Sequence, residues 1–228
     1  MKKIDIAVFV LGILTFLAIS LSLYMAFIYT PLEKTMGAVQ KIFYFHLPLA
    51  WIGFLAFFIV FLGGVLYLIT GSIKWDNLAY SSAEIGVIFS TLVLVTGSIW
   101  AKRAWNTWWT WDPRLTTMLI LWMIYVGYLM MRNAIDNVER RAKISAVIGI
   151  AGFVDVPIVF MAIRWWRTMH PLLITSKGMG LAPSMLTTLF VSLASFTLLY
   201  LYLLLIRVRL GLAVNTAEEI KIRLSDKL

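Results

Sequence analysis

Runs of apolar residues long enough to cross a lipid bilayer recur six times along this chain. They cover residues 6–29, 47–70, 83–101, 115–131, 144–163 and 184–206. Because the bilayer core offers no water to backbone groups, each run must form a helix. The hydrophobic content of 61% also exceeds the roughly 45–50% of soluble domains. The sequence predicts an all-α integral membrane protein with six transmembrane helices, in which residues 1–228 form a single domain.

The distribution of basic residues predicts how these helices are oriented. Twelve of the 20 Lys and Arg residues fall at the termini and in the second and fourth loops, and eight fall on the opposite side. The positive-inside rule then places both termini in the cytoplasm and the loop between helices 3 and 4 outside. The net charge of +9 forms no continuous basic face, so we do not expect a nucleic-acid partner.

The predicted outer loop is unusually rich in tryptophan. Residues 100–114 read WAKRAWNTWWTWDPR and hold five of the chain's ten tryptophans. One tryptophan at a membrane interface is commonly an anchor. Five in fifteen residues exceed that need and favour a platform for a flat, largely apolar ligand.

The spacing within this loop predicts a local geometry. If residues 105–112 are helical, Trp105, Trp108, Trp109 and Asp112 share one face. Pro113 suits the first position of the fourth helix, and Asp112 before it suits an N-cap. Capping alone and direct ligand contact are both open for Asp112.

The chain has two histidines, and both fall on the side of the tryptophan loop. His46 lies in KIFYFHLPLAW and His170 in RWWRTMHP, at about the same predicted depth. Neutral imidazole is a common axial ligand of haem iron, and two can fill both axial positions. The alternative is a hydrogen-bonded interfacial histidine. The residues alone leave both roles open for His46 and His170.

Basic residues surround the same region. Guanidinium groups pair well with carboxylates such as the two of haem, although any one of these residues could simply anchor the protein at the interface. The set is Lys102, Arg103, Arg114, Arg164 and Arg167.

Several chemistries are excluded or weakly indicated. The absence of cysteine excludes disulfides and a haem held through this chain's own thioethers. No GxxxxGK[ST], GxSxG or HExxH motif is present, so no ATPase, serine hydrolase or zincin is indicated. Asp155 lies near the middle of the fifth run beside Pro157. It is either functional, or it forms a hydrogen bond across helices, or it repairs the backbone freed by Pro157.

Three segments resemble one family of membrane proteins. WNTWWTWDPRLTT is similar to the tryptophan-rich WWD signature, here residues 100–115, of the haem-handling proteins of cytochrome c maturation. YFHLPLAW and WWRTMHP resemble the flanking histidine regions of the CcmC family within the CcmC/CcmF/CcsA superfamily. Two departures occur: Asn106 replaces an expected glycine, and Pro113 follows the aspartate where a small residue is common.

The resemblance implies a function. Haem b would be bound non-covalently on the periplasmic face of the bacterial inner membrane, between His46 and His170. The other implied haem contacts are Trp105, Trp108, Trp109, Trp111, Asp112, Arg114 and Arg167. Haem would pass to the chaperone CcmE, with CcmA, CcmB and CcmD as further partners. The alternatives are haem transport through the chain's own helices, direct synthesis of cytochrome c, and a structural subunit anchored by its aromatics.

Overall fold

Long helices make up nearly all of the described chain. The computed structural model describes residues 3–171 and 178–225, and these contain no β-strand, only isolated bridge residues. The α-helices are α1 (Lys3–Tyr24), α2 (Phe43–Thr70), α3 (Ile73–Trp105), α4 (Pro113–Asn133), α5 (Val138–Phe153), α6 (Asp155–Trp165) and α7 (Pro183–Ser225). A π-helical turn, Met25–Tyr29, extends α1, and a 3₁₀ turn, Ala38–Ile42, precedes α2.

The six predicted membrane spans are confirmed. Within the described residues, six helical segments are long and apolar enough to cross a membrane: Ile6–Tyr29, Ala38–Thr70, Ile73–Trp105, Pro113–Asn133, Val138–Trp165 and Pro183–Val214. Helices α5 and α6 together form the fifth span and are separated by a break at Val154. Pro157 lies just after this break and cannot donate a backbone hydrogen bond to Phe153, which explains the interruption.

Helix α3 begins ten residues before the predicted start of the third span. It starts at Ile73, not at residue 83, and includes the polar residues Asp76 and Asn77. Both side chains are buried. Asn77 Nδ2 donates to the carbonyl oxygen of Val208 over 2.9 Å, and Asp76 pairs with Arg132. Hydropathy does not account for such partners, so the prediction placed the start of this helix too late in the sequence.

The middle of the bundle is tightly packed. Phe57 of α2 stacks on Tyr125 of α4 with ring centroids 3.7 Å apart and planes 10° apart, and both side chains are fully buried. A Cβ atom on Gly86 would lie 2.6 Å from the Phe57 ring. Since only glycine permits this approach, α2 and α3 close together around these two rings.

Hydroxyl groups attach the first span to the last. Ser22 and Ser192 hydroxyls are 2.9 Å apart, and Thr30 and Thr188 hydroxyls are 2.6 Å apart. All four side chains are buried. Such hydrogen bonds between helices stabilise packing in lipid, where apolar contact alone gives little preference for a partner.

Alternation of the six spans brings three connections to one end of the bundle. These are residues 30–37 before α2, residues 106–112 between α3 and α4, and the connection between α6 and α7 that begins at residue 166. We call this the tryptophan end, because residues 106–112 contain three of the clustered tryptophans. The opposite end is called the far end.

Candidate functional site

A cavity of about 590 Å³ opens at the tryptophan end. Helices α2, α3, α4 and α6 and the segment after α6 all contribute to its wall, and both histidines line it. Its volume lies within the roughly 300–1,000 Å³ typical of small-molecule sites. We call it the histidine cavity. Its aromatic, basic and histidine lining is Phe43, His46, Phe54, Trp100, Arg103, Trp105, Trp109, Arg114 and His170.

His46 is held against α3 in the first turn of α2. Its Nδ1 lies 2.9 Å from Thr96 Oγ1. The imidazole also meets the indole of Trp100 edge-on, with centroids 5.8 Å apart and planes at 82°. Gly97 lies directly beside the ring, since a Cβ there would be 3.1 Å from His46 Cε1. Three positions of α3 therefore define where this imidazole sits.

His170 lies on the segment after α6 and reaches the same cavity. Its ring meets Trp105 edge-on, with centroids 5.5 Å apart, and its backbone N–H donates to Thr168 Oγ1 over 3.0 Å. Burial, and next the positive charge of Arg114, lower the pKa of His170 to about 4, although Asp112 opposes this shift. The imidazole is consequently neutral at neutral pH, which is the form that binds metals.

Asp112 joins the start of α4 to the histidine segment. One carboxylate oxygen accepts the Arg114 N–H over 3.0 Å and caps α4 as predicted. The other accepts the Thr168 hydroxyl over 2.6 Å and the Met169 N–H over 2.8 Å. Burial raises the pKa of Asp112, but these three hydrogen bonds and the nearby His170 outweigh it, so the pKa lies below its ordinary value. Capping alone therefore does not describe this residue.

The prediction of a helix over residues 105–112 is wrong. Helix α3 ends at Trp105, Asn106 adopts a left-handed conformation with φ 58°, and residues 107–112 are irregular. A left-handed residue terminates a helix because the chain turns away from the axis. The four residues predicted to share a helical face are thus arranged by the loop instead.

The loop divides the predicted tryptophan platform into two parts. Trp105 and Trp109 line the histidine cavity together with Trp100, which the prediction did not include among the site residues. Trp108 and Trp111 are 60% and 75% exposed and lie outside the lining. The rings of Trp109 and Trp111 still meet edge-on, with centroids 5.9 Å apart. The loop therefore presents aromatic surface both to the cavity and to its surroundings.

The predicted basic contacts are also divided. Arg114 lines the cavity, and its buried Nη1 has no hydrogen-bond partner among the described residues. A buried guanidinium N–H without an acceptor is costly, so this position suits an anionic group of a ligand. Arg103 lines the cavity as well, whereas Arg167 is exposed and lies outside the lining. Lys102 instead donates to Asn106 Oδ1 over 3.0 Å.

The two cavity histidines suit a metal ion whose other ligands come from the bound molecule and not from the protein. The described residues contain no group of three or more His, Cys, Asp or Glu side chains that could hold a metal ion by themselves. Two histidines lining one aromatic cavity supply only two metal ligands. Iron in a porphyrin needs axial ligands alone from the protein, so the pair and its aromatic surroundings fit haem as cargo.

Two polar residues of this site were missed by sequence reasoning. Thr96 contacts His46 across 50 positions of sequence, and Thr168 contacts Asp112 across 56. No pattern in the sequence singles out Thr96. Thr168 lies in the quoted segment RWWRTMHP, but nothing in that segment indicates its contact with Asp112. Trp100, by contrast, belongs to the tryptophan cluster and could have been included on that basis.

These features define a class: a membrane protein of six spans with a tryptophan-lined cavity that carries two histidines at one end of its helix bundle. The profile of the family described as Heme exporter protein C, CcmC, matches residues 1–223. The chain therefore belongs to the CcmC family.

Individual relatives agree with this assignment. A protein named Heme exporter protein C from Bradyrhizobium diazoefficiens is 34% identical over 203 residues, covering 86% of this chain and 74% of its own length. The protein of the same name from Escherichia coli K12 is 34% identical over 186 residues, covering 79% and 74%. A ccmC-like mitochondrial protein of Marchantia polymorpha, named for cytochrome c biosynthesis, is 35% identical over 184 residues, covering 80% and 76%.

Proposed function

We propose that this protein binds haem at the tryptophan end and delivers it to the haem chaperone CcmE during cytochrome c maturation. The observation that carries the proposal is the histidine cavity, in which His46, His170, Trp105 and Arg114 line one space of suitable volume. Family membership and the names of the relatives support haem handling as the purpose of that cavity.

Each part of the cavity has a proposed role towards haem b. His46 and His170 supply the axial ligands, and Trp105 and Trp109 contact the porphyrin faces. Arg114 offers a propionate its Nη1, which has no hydrogen-bond partner in the part of the chain that the structure describes. The chain has no cysteine, so it cannot form a thioether bond to haem. We propose that haem is bound non-covalently, through the two histidines and the aromatic contacts. Reversible ligation suits a protein that must release its cargo.

The exposed part of the site has a different proposed role. Trp108, Trp111 and Arg167 lie outside the cavity lining and are exposed. We assign them to the surface where the haem edge and the chaperone meet, with Arg167 free to reach a propionate at the cavity mouth. Exposed tryptophan and arginine are typical anchors of protein interfaces.

Proposed topology follows from the charge distribution. The tryptophan end faces the periplasm, both termini face the cytoplasm, and residues 1–228 act as one domain in the bacterial inner membrane. CcmA, CcmB and CcmD are the proposed partners besides CcmE. A periplasm-specific reporter fused after Thr110 is expected to be active, and an inactive fusion would reverse this orientation.

Passage of haem through the chain's own helices is disfavoured by the packing below the cavity. Phe57 and Tyr125 stack at 3.7 Å in the fully buried middle of the bundle. The neighbouring Gly86 leaves no space even for a methyl group beside Phe57. A porphyrin would have to separate these helices, so we favour loading from the tryptophan end or its flanks.

The direct test is the absorption spectrum of the purified full chain after expression with haem available. Wild type is expected to show a six-coordinate low-spin haem spectrum, and His46→Ala and His170→Ala are each expected to lose it. Trp105→Leu should weaken haem retention, whereas Trp51→Leu, a half-exposed tryptophan of α2 outside the cavity, should not. Wild type without a low-spin signal would contradict the proposal.

A further inference from the structure

The hydrogen bond between His46 and Thr96 has a defined direction. Thr96 Oγ1 lies 2.7 Å from the carbonyl oxygen of Leu92 and 2.9 Å from His46 Nδ1. A carbonyl can only accept, so the single hydroxyl proton is used on Leu92, as is common for threonine within helices. The hydroxyl oxygen therefore presents a lone pair to His46, and Nδ1 must carry the proton.

Fixing that proton determines which ring nitrogen is available to a metal. A neutral imidazole has one protonated and one bare nitrogen, and only the bare one is a metal ligand. With Nδ1 protonated, Nε2 is the bare nitrogen. We propose that Thr96 is a positioning residue that holds His46 in the Nδ1–H tautomer, so that Nε2 is ready to bind haem iron. This inference rests on the proposed haem-binding function.

Neighbouring positions on α3 make the same orientation sterically stable. Gly97 leaves the space that the Cε1 edge of His46 occupies, with 3.1 Å to an added Cβ. Trp100, one turn beyond Thr96, packs edge-on against the ring. The hydrogen bond therefore acts on an imidazole that is already confined. Outer groups that orient a metal-ligating histidine commonly change metal affinity 10–100-fold when removed.

The second histidine provides an internal comparison. His170 Nδ1 is buried and has no hydrogen-bond partner among the described residues, and it lies 3.9 Å from Asp112 Oδ1, beyond hydrogen-bond distance. Within residues 3–171 and 178–225, no hydroxyl lies within hydrogen-bond distance of this Nδ1. The chain has only these two histidines, so spectroscopic signals from them can be separated with a single His170→Ala variant.

The first test uses the haem-free protein. In the full chain labelled with ¹⁵N-histidine in lipid, solid-state NMR distinguishes protonated from bare ring nitrogens. We expect His46 to show protonated Nδ1 and bare Nε2 at neutral pH. A wild-type His46 with its proton on Nε2 would overturn the inference. This readout does not depend on haem, so it stands apart from any failure of the proposed function.

The second test removes the acceptor while keeping the side-chain shape. Thr96→Val is expected to move His46 towards the Nε2–H tautomer and to lower haem affinity roughly 10–100-fold, with a reduced low-spin fraction. Thr96→Ser should retain both properties. Thr187→Val is the matched control, because Thr187 is exposed and its hydroxyl donates to the Pro183 carbonyl of its own helix. Wild-type tautomer and affinity in Thr96→Val would overturn the inference.

A third variant perturbs the ring without touching the hydroxyl. Gly97→Ala is expected to displace His46 and reduce the low-spin fraction, while the fold persists because a side chain can yield. Gly127→Ala is the control, since a Cβ there meets nothing within 4 Å and alanine is more favourable than glycine inside a helix. An unchanged haem spectrum in Gly97→Ala would show that the ring is not confined as described.

Discussion

Asp112 shows how one side chain can serve two separate parts of the chain. Its two carboxylate oxygens accept hydrogen bonds from the first turn of α4 and from the segment that carries His170. The three donors come from Arg114, Thr168 and Met169. Because His170 follows Met169 directly, the position of this histidine depends on a carboxylate 58 residues earlier in the sequence.

Replacing Asp112 is expected to affect both haem binding and stability. Asp112→Ala should lower the free energy of unfolding by about 0.5–2 kcal/mol through loss of the cap, and should also weaken haem binding roughly 10-fold or more because the His170 segment loses its support. Haem titration and thermal unfolding of the same preparations measure the two effects.

Asn137 offers the matched control for this prediction. Its side chain caps α5 by accepting the Arg140 N–H over 2.8 Å. Asn137→Ala should therefore cost a similar amount of stability and leave the haem spectrum unchanged. Equal haem affinity in Asp112→Ala and Asn137→Ala would contradict the role assigned to Asp112.

At the scale of an element, the end of α3 decides which tryptophans face the cavity. Asn106 has φ 58°, the only positive φ among the described residues other than glycine. Asparagine tolerates this left-handed region better than most residues but still less well than glycine. The family resemblance leads one to expect glycine here, and the backbone conformation gives the physical reason.

Substitutions at Asn106 are expected to follow this conformational requirement. Asn106→Gly should preserve or raise stability, while Asn106→Val should lower the free energy of unfolding by about 1–2 kcal/mol and alter the loop that holds Trp109. Thermal unfolding with haem titration measures both. Valine as stable as glycine at this position would show that the left-handed turn is not retained.

At the scale of the whole molecule, an ion-pair network holds the far end together, opposite the site. Arg132 of α4 forms a buried bidentate pair with Asp76 of α3, with N–O distances of 2.6 and 2.9 Å. The Arg132 guanidinium also lies over the Tyr80 ring, and the guanidinium of Arg207 on α7 lies over the same ring. Arg207 in turn pairs with Glu84 at 2.5 Å. Three helices are thereby connected through charged groups.

Breaking the buried pair should destabilise the fold without changing the site. Arg132→Met is expected to cost about 3–5 kcal/mol, because it leaves Asp76 buried and unpaired. Arg207→Met breaks the pair with Glu84, whose side chains are 27% and 28% exposed, and should cost less than Arg132→Met. Unfolding in denaturant compares them, and folded Arg132→Met should bind haem normally. Similar losses of unfolding free energy in both variants would contradict the larger contribution assigned to the buried pair.

The sequence by itself determined the architecture and singled out several of the residues that line the histidine cavity. Apolar runs of spanning length fix six helices, since each helix satisfies its own backbone in lipid regardless of its neighbours. The dipeptide Asp112-Pro113 likewise predicted the start of α4, because capping is a local interaction. The grouping of His46, His170 and Arg114 around one cavity follows from the alternation of spans, which brings their segments to the same end.

Only the tertiary structure decided how those residues are supported. Thr96 on His46, Thr168 on Asp112 and Arg132 on Asp76 join positions 50, 56 and 56 residues apart. Each contact depends on which helix faces lie against one another, and no local pattern encodes that choice. The tryptophan loop shows the same limit: its residue spacing predicted a helical platform, whereas a left-handed Asn106 divides it between the cavity and the exposed surface.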